Sequence, residues 1–211
     1  MKTILFFGLL ALTACGTAVE KFSNLSPDQG QKACCVPLDK SEGVAAPTEM
    51  SLYNLSSTWA TPQGDSVNLS HLRGKIQLVA MVYTNCQTAC PRIVADLKQI
   101  QAAIPRKENV GFVLVSLDPD RDTPEKLRSF ATSYQLDQDR WQLLTGKEGD
   151  VQDLAVLLGL KFKKLGQGEI SHANLISVLN AEGEIVYQEE ELGVDKSKII
   201  ARIQQLITKS I

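Results

Sequence analysis

The chain has 211 residues, of which 44% are hydrophobic and 22% charged, and it carries a formal charge of −2 at pH 7. That is the makeup of a globular domain with a core of its own. Scattered charges of both signs argue against nucleic acid as a partner, and beyond the first residues no apolar run is long enough to cross a bilayer.

The N-terminus carries a processing signal. Lys2 is a short basic start, residues 4–12 are apolar but too few to span a membrane, and Leu12-Thr13-Ala14-Cys15 follows. Small residues before a cysteine resemble the lipobox of bacterial lipoproteins, in which the signal is cut ahead of the cysteine and the cysteine is lipidated. The resemblance implies a signal peptide over residues 1–14 and Cys15 as the acylated N-terminus. The protein would then sit in the bacterial cell envelope, facing the periplasm and touching the membrane through its lipid. The alternative is an ordinary secretory signal with a chance cysteine. Cleavage removes Lys2 and lowers the balance to −3.

Residues 15–50 read as a flexible tether, rich in Ser, Pro, Gly, Asp and Lys and without sustained periodicity. Within it, Cys34 and Cys35 are adjacent. Neighbouring Cα atoms are about 3.8 Å apart, too close for a relaxed disulfide between them. They form an accessory copper or redox station, a dispensable linker pair, or a site of intermolecular bridging.

The folded domain is expected over residues 51–211. Residues 52–59 and 66–69 flank the turn-rich Thr61-Pro62-Gln63-Gly64-Asp65, which predicts an N-terminal β-hairpin. His71 falls in a short helical turn and reads as a surface or capping residue. Residues 76–83 are almost continuously apolar, as in a central strand covered on both faces. Ile93, Val94, Leu97, Ile100 and Ile104 then recur at helical spacing. Residues 109–117 form a second buried strand, completing a right-handed βαβ unit.

Asp118-Pro119-Asp120-Arg121-Asp122-Thr123-Pro124-Glu125 opens the next helix, with Asp122 or Thr123 as its cap and Pro124 in its first turn. Capping explains part of this acidic cluster, yet Asp118 lies at the end of a core strand. A strand over 141–144 and a helix over 149–158 follow. Lys161, Lys163 and Lys164 read as a solvated basic face. Residues 173–179 and 184–188 predict two strands joined by a turn at 180–183, and Ile199, Ile200, Ile203, Leu206 and Ile207 mark a final amphipathic helix.

The candidate chemistry lies in Thr84-Asn85-Cys86-Gln87-Thr88-Ala89-Cys90-Pro91, between the first buried strand and its helix. Pro91 suits the first helical position, with Cys90 at the N-cap and Cys86 in the turn before it. Both sulfurs then face the positive end of a helix dipole, which favours thiolate. Such a pair makes a disulfide or grips a soft metal ion. In an oxidising compartment, thiols are normally bridged or metallated. His172 stands before the strand over 173–179. If that strand packs beside the cysteine-bearing one, His172 completes a site of two sulfurs and one nitrogen, which suits copper or zinc.

From about residue 52 to 207 the chain resembles the Sco/SenC family of the thioredoxin-like superfamily. The matching pieces are Tyr83 to Pro91 through Cys86 and Cys90, Ser116-Leu117-Asp118-Pro119-Asp120-Arg121-Asp122-Thr123-Pro124, Leu144-Thr145-Gly146, and His172 before a strand. The resemblance implies an α/β, thioredoxin-like fold with a central mixed sheet flanked by helices. It implies that Cys86, Cys90 and His172 bind copper, with Asp118 at an acidic position close by. It further implies a metallochaperone that delivers copper to the CuA-bearing subunit of cytochrome c oxidase. Such a chaperone is loaded by a copper donor or kept reduced by a thiol reductant protein.

Some members instead act as thiol–disulfide reductants, with Cys86 and Cys90 as the redox pair. This chain departs from the family in Met81, Val82 and Asn85 ahead of the cysteines, and in Ser171 and Ala173 around the histidine. A thioredoxin-type Cys-x2-Cys is absent, and no proline follows Pro124. Copper chaperone and thiol–disulfide oxidoreductase therefore stand as first and second readings. A peroxidase and a merely structural disulfide stand behind them.

Overall fold

The computed structural model describes residues 47–105 and 109–209. Cys15, Cys34 and Cys35, and with them the expected signal and most of the tether, lie outside the described residues.

In chain order the strands and helices are β1 (Trp59–Ala60), β2 (Ser66–Val67), β3 (Ile76–Val82), α1 (Ala89–Ala103), β4 (Val110–Ser116), α2 (Pro124–Ser133), β5 (Trp141–Leu144), α3 (Glu148–Leu157), β6 (Phe162–Gly166), β7 (Glu169–His172), β8 (Ile176–Leu179), β9 (Ile185–Glu189) and α4 (Ser197–Lys209). The main sheet runs β5-β4-β3-β8-β9. Its β3, β4 and β5 run parallel, and β8 runs antiparallel to both of its neighbours, β3 and β9. This is the expected mixed sheet of a thioredoxin-like fold.

The near-continuous apolar runs become the two central strands, and every residue of β3 and β4 is buried. Each fully buried large side chain, such as Leu78, Met81 or Phe112, stabilises the fold by roughly 1.5–3 kcal/mol. The one polar side chain of β3, Gln77, donates to the Leu72 carbonyl at 3.0 Å. It lies over Gly111 of the paired strand, where a Cβ would meet its Oε1 at 2.3 Å. Glycine is therefore the residue that lets a buried amide fit between the two strands.

Ile93, Val94, Leu97 and Ile100 of α1 are wholly buried, as their spacing predicts. Asp96 on the same helix is buried as well. It pairs with Lys196, ahead of α4, at 2.8 Å, and accepts the Gly193 N–H at 2.9 Å.

Four elements differ from expectation. The N-terminal hairpin exists but is short. Residues 52–54 form a 3-10 turn, and only Trp59–Ala60 and Ser66–Val67 pair. Helix α1 begins two residues earlier than expected, with Thr88 at its N-cap and Cys90 and Pro91 inside the first turn. The lysines at 161, 163 and 164 belong to or adjoin β6, which pairs with β7 in a separate two-stranded sheet. His172 therefore ends this hairpin, and β8 begins four residues later. The hairpin hides its period because β6 is exposed almost throughout and β7 buries only Ile170.

Candidate metal centre

Strand β3 delivers the chain into the cysteine turn at the C-terminal edge of the parallel strands, where α/β sheets place their sites. The turn is held from two sides. Asp122, buried after β4, accepts the Thr84 N–H at 3.0 Å and the Thr84 hydroxyl, and it also accepts the Ser116 hydroxyl at 2.6 Å. On the helix side no side chain of Thr88 caps α1. The Cys86 sulfur takes that place, accepting the Cys90 N–H at 3.4 Å. Pro91 fits the first turn because an N–H there has no partner within the helix.

The two thiols consequently differ. Cys86 is 8% exposed and Cys90 is fully buried, and neither is in a disulfide. Burial works against the Cys86 thiolate, but the N–H groups of Cys90 and Thr88, then the Cys90 and Tyr83 side chains, outweigh it and bring the thiol down to about 6. Burial pushes the Cys90 thiol up strongly. The Tyr83 N–H, which reaches its sulfur at 3.5 Å, opposes this only in part, and the Cys86 and Asp122 charges add to the rise.

His172 comes to the pair from the β6–β7 hairpin. Its Nε2 stands 3.8 Å from Cys90 Sγ, and its Nδ1 lies 2.9 Å from the Ala173 carbonyl oxygen. A carbonyl only accepts, so Nδ1 carries the proton and Nε2 presents its lone pair to the sulfurs. A backbone oxygen thus sets the tautomer, and Ser171 and Ala173 need supply no side chain for it. The Tyr83 ring meets the imidazole edge to face at 5.9 Å. Its hydroxyl lies 3.5 Å from both Glu169 and the Ile170 N–H.

The donor atoms of Cys86, Cys90 and His172 all lie within 4.8 Å of one another. Metal–sulfur bonds of about 2.3 Å and metal–imidazole bonds of about 2.0 Å place ligands across one ion roughly 3.5–4.5 Å apart. The three atoms therefore fit one soft ion with little movement, and two sulfurs with one imidazole suit copper. Among the described residues this is the one group of three or more such side chains so placed. A groove lined by Thr88, Ala89, Arg92 and Asn174 opens beside the cysteine turn.

His71 is exposed on the 3-10 turn Leu69–Leu72, whose two leucines are buried, and lies outside this group. Asp118 is buried and grips the Arg121 guanidinium, not a cysteine or His172. Sequence reasoning assigned no site role to Tyr83, Arg121 or Asp122. Asp122 was readable only as a cap, a task that Thr123 performs by accepting the Lys126 N–H at 3.4 Å.

The SCO1/SenC family model matches residues 48–208. A SCO1 protein homolog of Bacillus subtilis is 28% identical over 134 residues, covering 61% of this chain and 69% of that protein. A solved SCO1/SenC family lipoprotein of Bacillus anthracis is 25% identical with a TM-score of 0.67, over 78% of this chain and 99% of that one. The copper-bound ScoI of Arabidopsis thaliana has a TM-score of 0.64, covering 72% of this chain and 96% of its own, and at 19% identity the likeness is one of fold.

Proposed function

Because the chain belongs to the SCO1/SenC family, we propose that it is a copper metallochaperone serving cytochrome c oxidase assembly. Cys86, Cys90 and His172 hold one copper ion and release it to the CuA-bearing subunit. The observation that carries this reading is the 3.8 Å approach of His172 Nε2 to Cys90 Sγ, with all three donor atoms within 4.8 Å. A disulfide has no use for an imidazole facing it, whereas copper takes one as a third ligand beside two thiolates. Delivery asks for few ligands and an open side. The half-exposed His172 and the groove beside the turn supply these, so incoming thiolates can replace the protein's sulfurs one at a time.

A second reading rests on the unequal thiols. The Cys86 thiolate attacks one sulfur of a partner's disulfide, forming a mixed disulfide and freeing one partner thiol. Cys90 then loses its proton, attacks the Cys86 sulfur and releases the second partner thiol. Two electrons pass to the partner, the Cys86–Cys90 disulfide remains, and a thiol reductant protein restores the pair.

Copper titration with X-ray absorption on wild type, Cys86→Ala and His172→Ala tests the first reading. One ion per reduced domain and a lost nitrogen ligand in His172→Ala are expected. Unchanged coordination in that variant removes His172 from the site. Copper transfer to an apo CuA domain, run beside a disulfide-reduction assay, separates the two readings. The lipid at Cys15 holds the protein to the envelope membrane, facing the periplasm. Cys15→Ala should leave the membrane fraction, and its continued retention there would remove the anchor from the proposal.

A further inference from the structure

The hairpin that carries His172 has little to hold it. Strands β6 and β7 pair only with each other. An isolated two-stranded hairpin is marginal in water, and this one buries a single side chain, Ile170. Its tip passes through three consecutive positive-φ residues, Gly166, Gln167 and Gly168. The approach of His172 to Cys90 must therefore be set by contacts from outside the hairpin.

One of these contacts comes from the loop between β4 and α2. The Arg121 guanidinium donates through Nη2 to the Gly168 carbonyl at 2.8 Å and through Nε to Asp118. Asp118 is itself fixed: it is 2% exposed and its N–H donates to Ser116 at 2.9 Å. The fork is closely seated, since a Cβ on Gly168 would lie 2.1 Å from Arg121 Nη1. The same loop holds the cysteine turn, through Asp122 and Thr84. A single loop thus grips both halves of the site, which come from segments more than 80 residues apart.

We propose that Arg121, backed by Asp118, is a positioning residue that sets the reach of His172 to the cysteine pair and thereby the tightness of the metal site. The inference rests on the copper reading and deepens it. Arg121 touches neither sulfur nor imidazole, so its effect must pass through the hairpin. A lysine, with a single point of charge, satisfies Asp118 but cannot also span to Gly168. Lost outer contacts of this kind typically weaken metal binding 10–100-fold.

The test is a double-mutant cycle on the full chain. Copper(I) affinity is measured by competition with a chromophoric chelator for wild type, Arg121→Lys, His172→Ala and the double variant. Arg121→Lys should weaken binding about tenfold and add no loss in the His172→Ala background. An equal loss in both backgrounds, or no loss in either, overturns the proposal. Absence of binding by wild type overturns the copper reading instead. A metal-free readout then still decides the role of Arg121. Amide hydrogen exchange at 166–172 should speed up in Arg121→Lys while β3 and β4 stay protected. Unchanged exchange at the hairpin, or exchange raised equally across the sheet, counts against the clasp.

Discussion

The Asp122 carboxylate accepts the backbone N–H of Thr84 at 3.0 Å, across 38 residues of chain. It accepts three donors in all, two from Thr84 and one from Ser116. This ties the cysteine turn to the end of β4. Asp122→Ala strands three donors in or near the core, at about 1 kcal/mol each. The expected loss is about 3 kcal/mol, or a fall in Tm of roughly 6–12 °C for a domain of this size. Thermal unfolding of the metal-free protein measures it. A fall under 2 °C would mean that the turn does not depend on Asp122.

The unequal thiols give the metal-free, reduced protein a distinct pH dependence. Cys86 is lowered to about 6, so between pH 6 and about 8.5, the ordinary thiol value, the unfolded chain binds the extra proton and stability rises with pH. Cys90 is raised by burial, so above about 8.5 the unfolded chain loses a proton that the fold keeps, and stability declines again. Denaturant unfolding across pH 5–10 should show the maximum near the ordinary thiol value of about 8.5. Alkylation should reach Cys86 with a midpoint near pH 6 and leave Cys90 untouched. Equal reactivity of the two cysteines contradicts the assignment.

Tyr83 is one of the groups that lower the Cys86 thiol, and burial holds its own hydroxyl up at about 12, so it remains a donor. Tyr83→Phe keeps the ring against His172 and removes the hydroxyl, with its long contacts to Glu169 and the Ile170 N–H. The alkylation midpoint of Cys86 should then move upward. A midpoint at or below the wild-type value would show that the hydroxyl contributes nothing to the thiolate.

The Asp96–Lys196 pair joins α1 to the segment ahead of α4, with both side chains 4% exposed. Lys196→Met leaves a buried carboxylate with only the Gly193 N–H beside it, and breaking such a pair costs about 3–5 kcal/mol. Adding Asp96→Leu should restore much of the loss, because an apolar pair of similar volume substitutes well for buried charges. Denaturant midpoints of the single and double variants decide this, and a double variant no more stable than Lys196→Met refutes it.

The sequence alone determined the two central strands of the main sheet, because β3 and β4 are buried on both faces and read as continuous apolar runs. It also placed Cys86 and Cys90 at the start of α1, since strand, cysteine spacing and helix are local features that periodicity reveals. Tertiary structure alone decided what surrounds them. Cys90 sits within the first helical turn because the Cys86 sulfur acts as the cap, a competition between acceptors that residue preferences do not register. Hairpin β6–β7 escaped detection because it buries one side chain, and with it the true origin of His172 was hidden. The acidic run from Asp118 to Asp122 read in part as a cap, with Asp118 a candidate beside the site. Asp122 instead holds Thr84, a contact set by the crossing of segments distant in sequence, and Asp118 holds Arg121 within the loop itself. Periodicity reports which face of an element meets the core. Which charged group meets which backbone atom across a loop is fixed only when the elements pack.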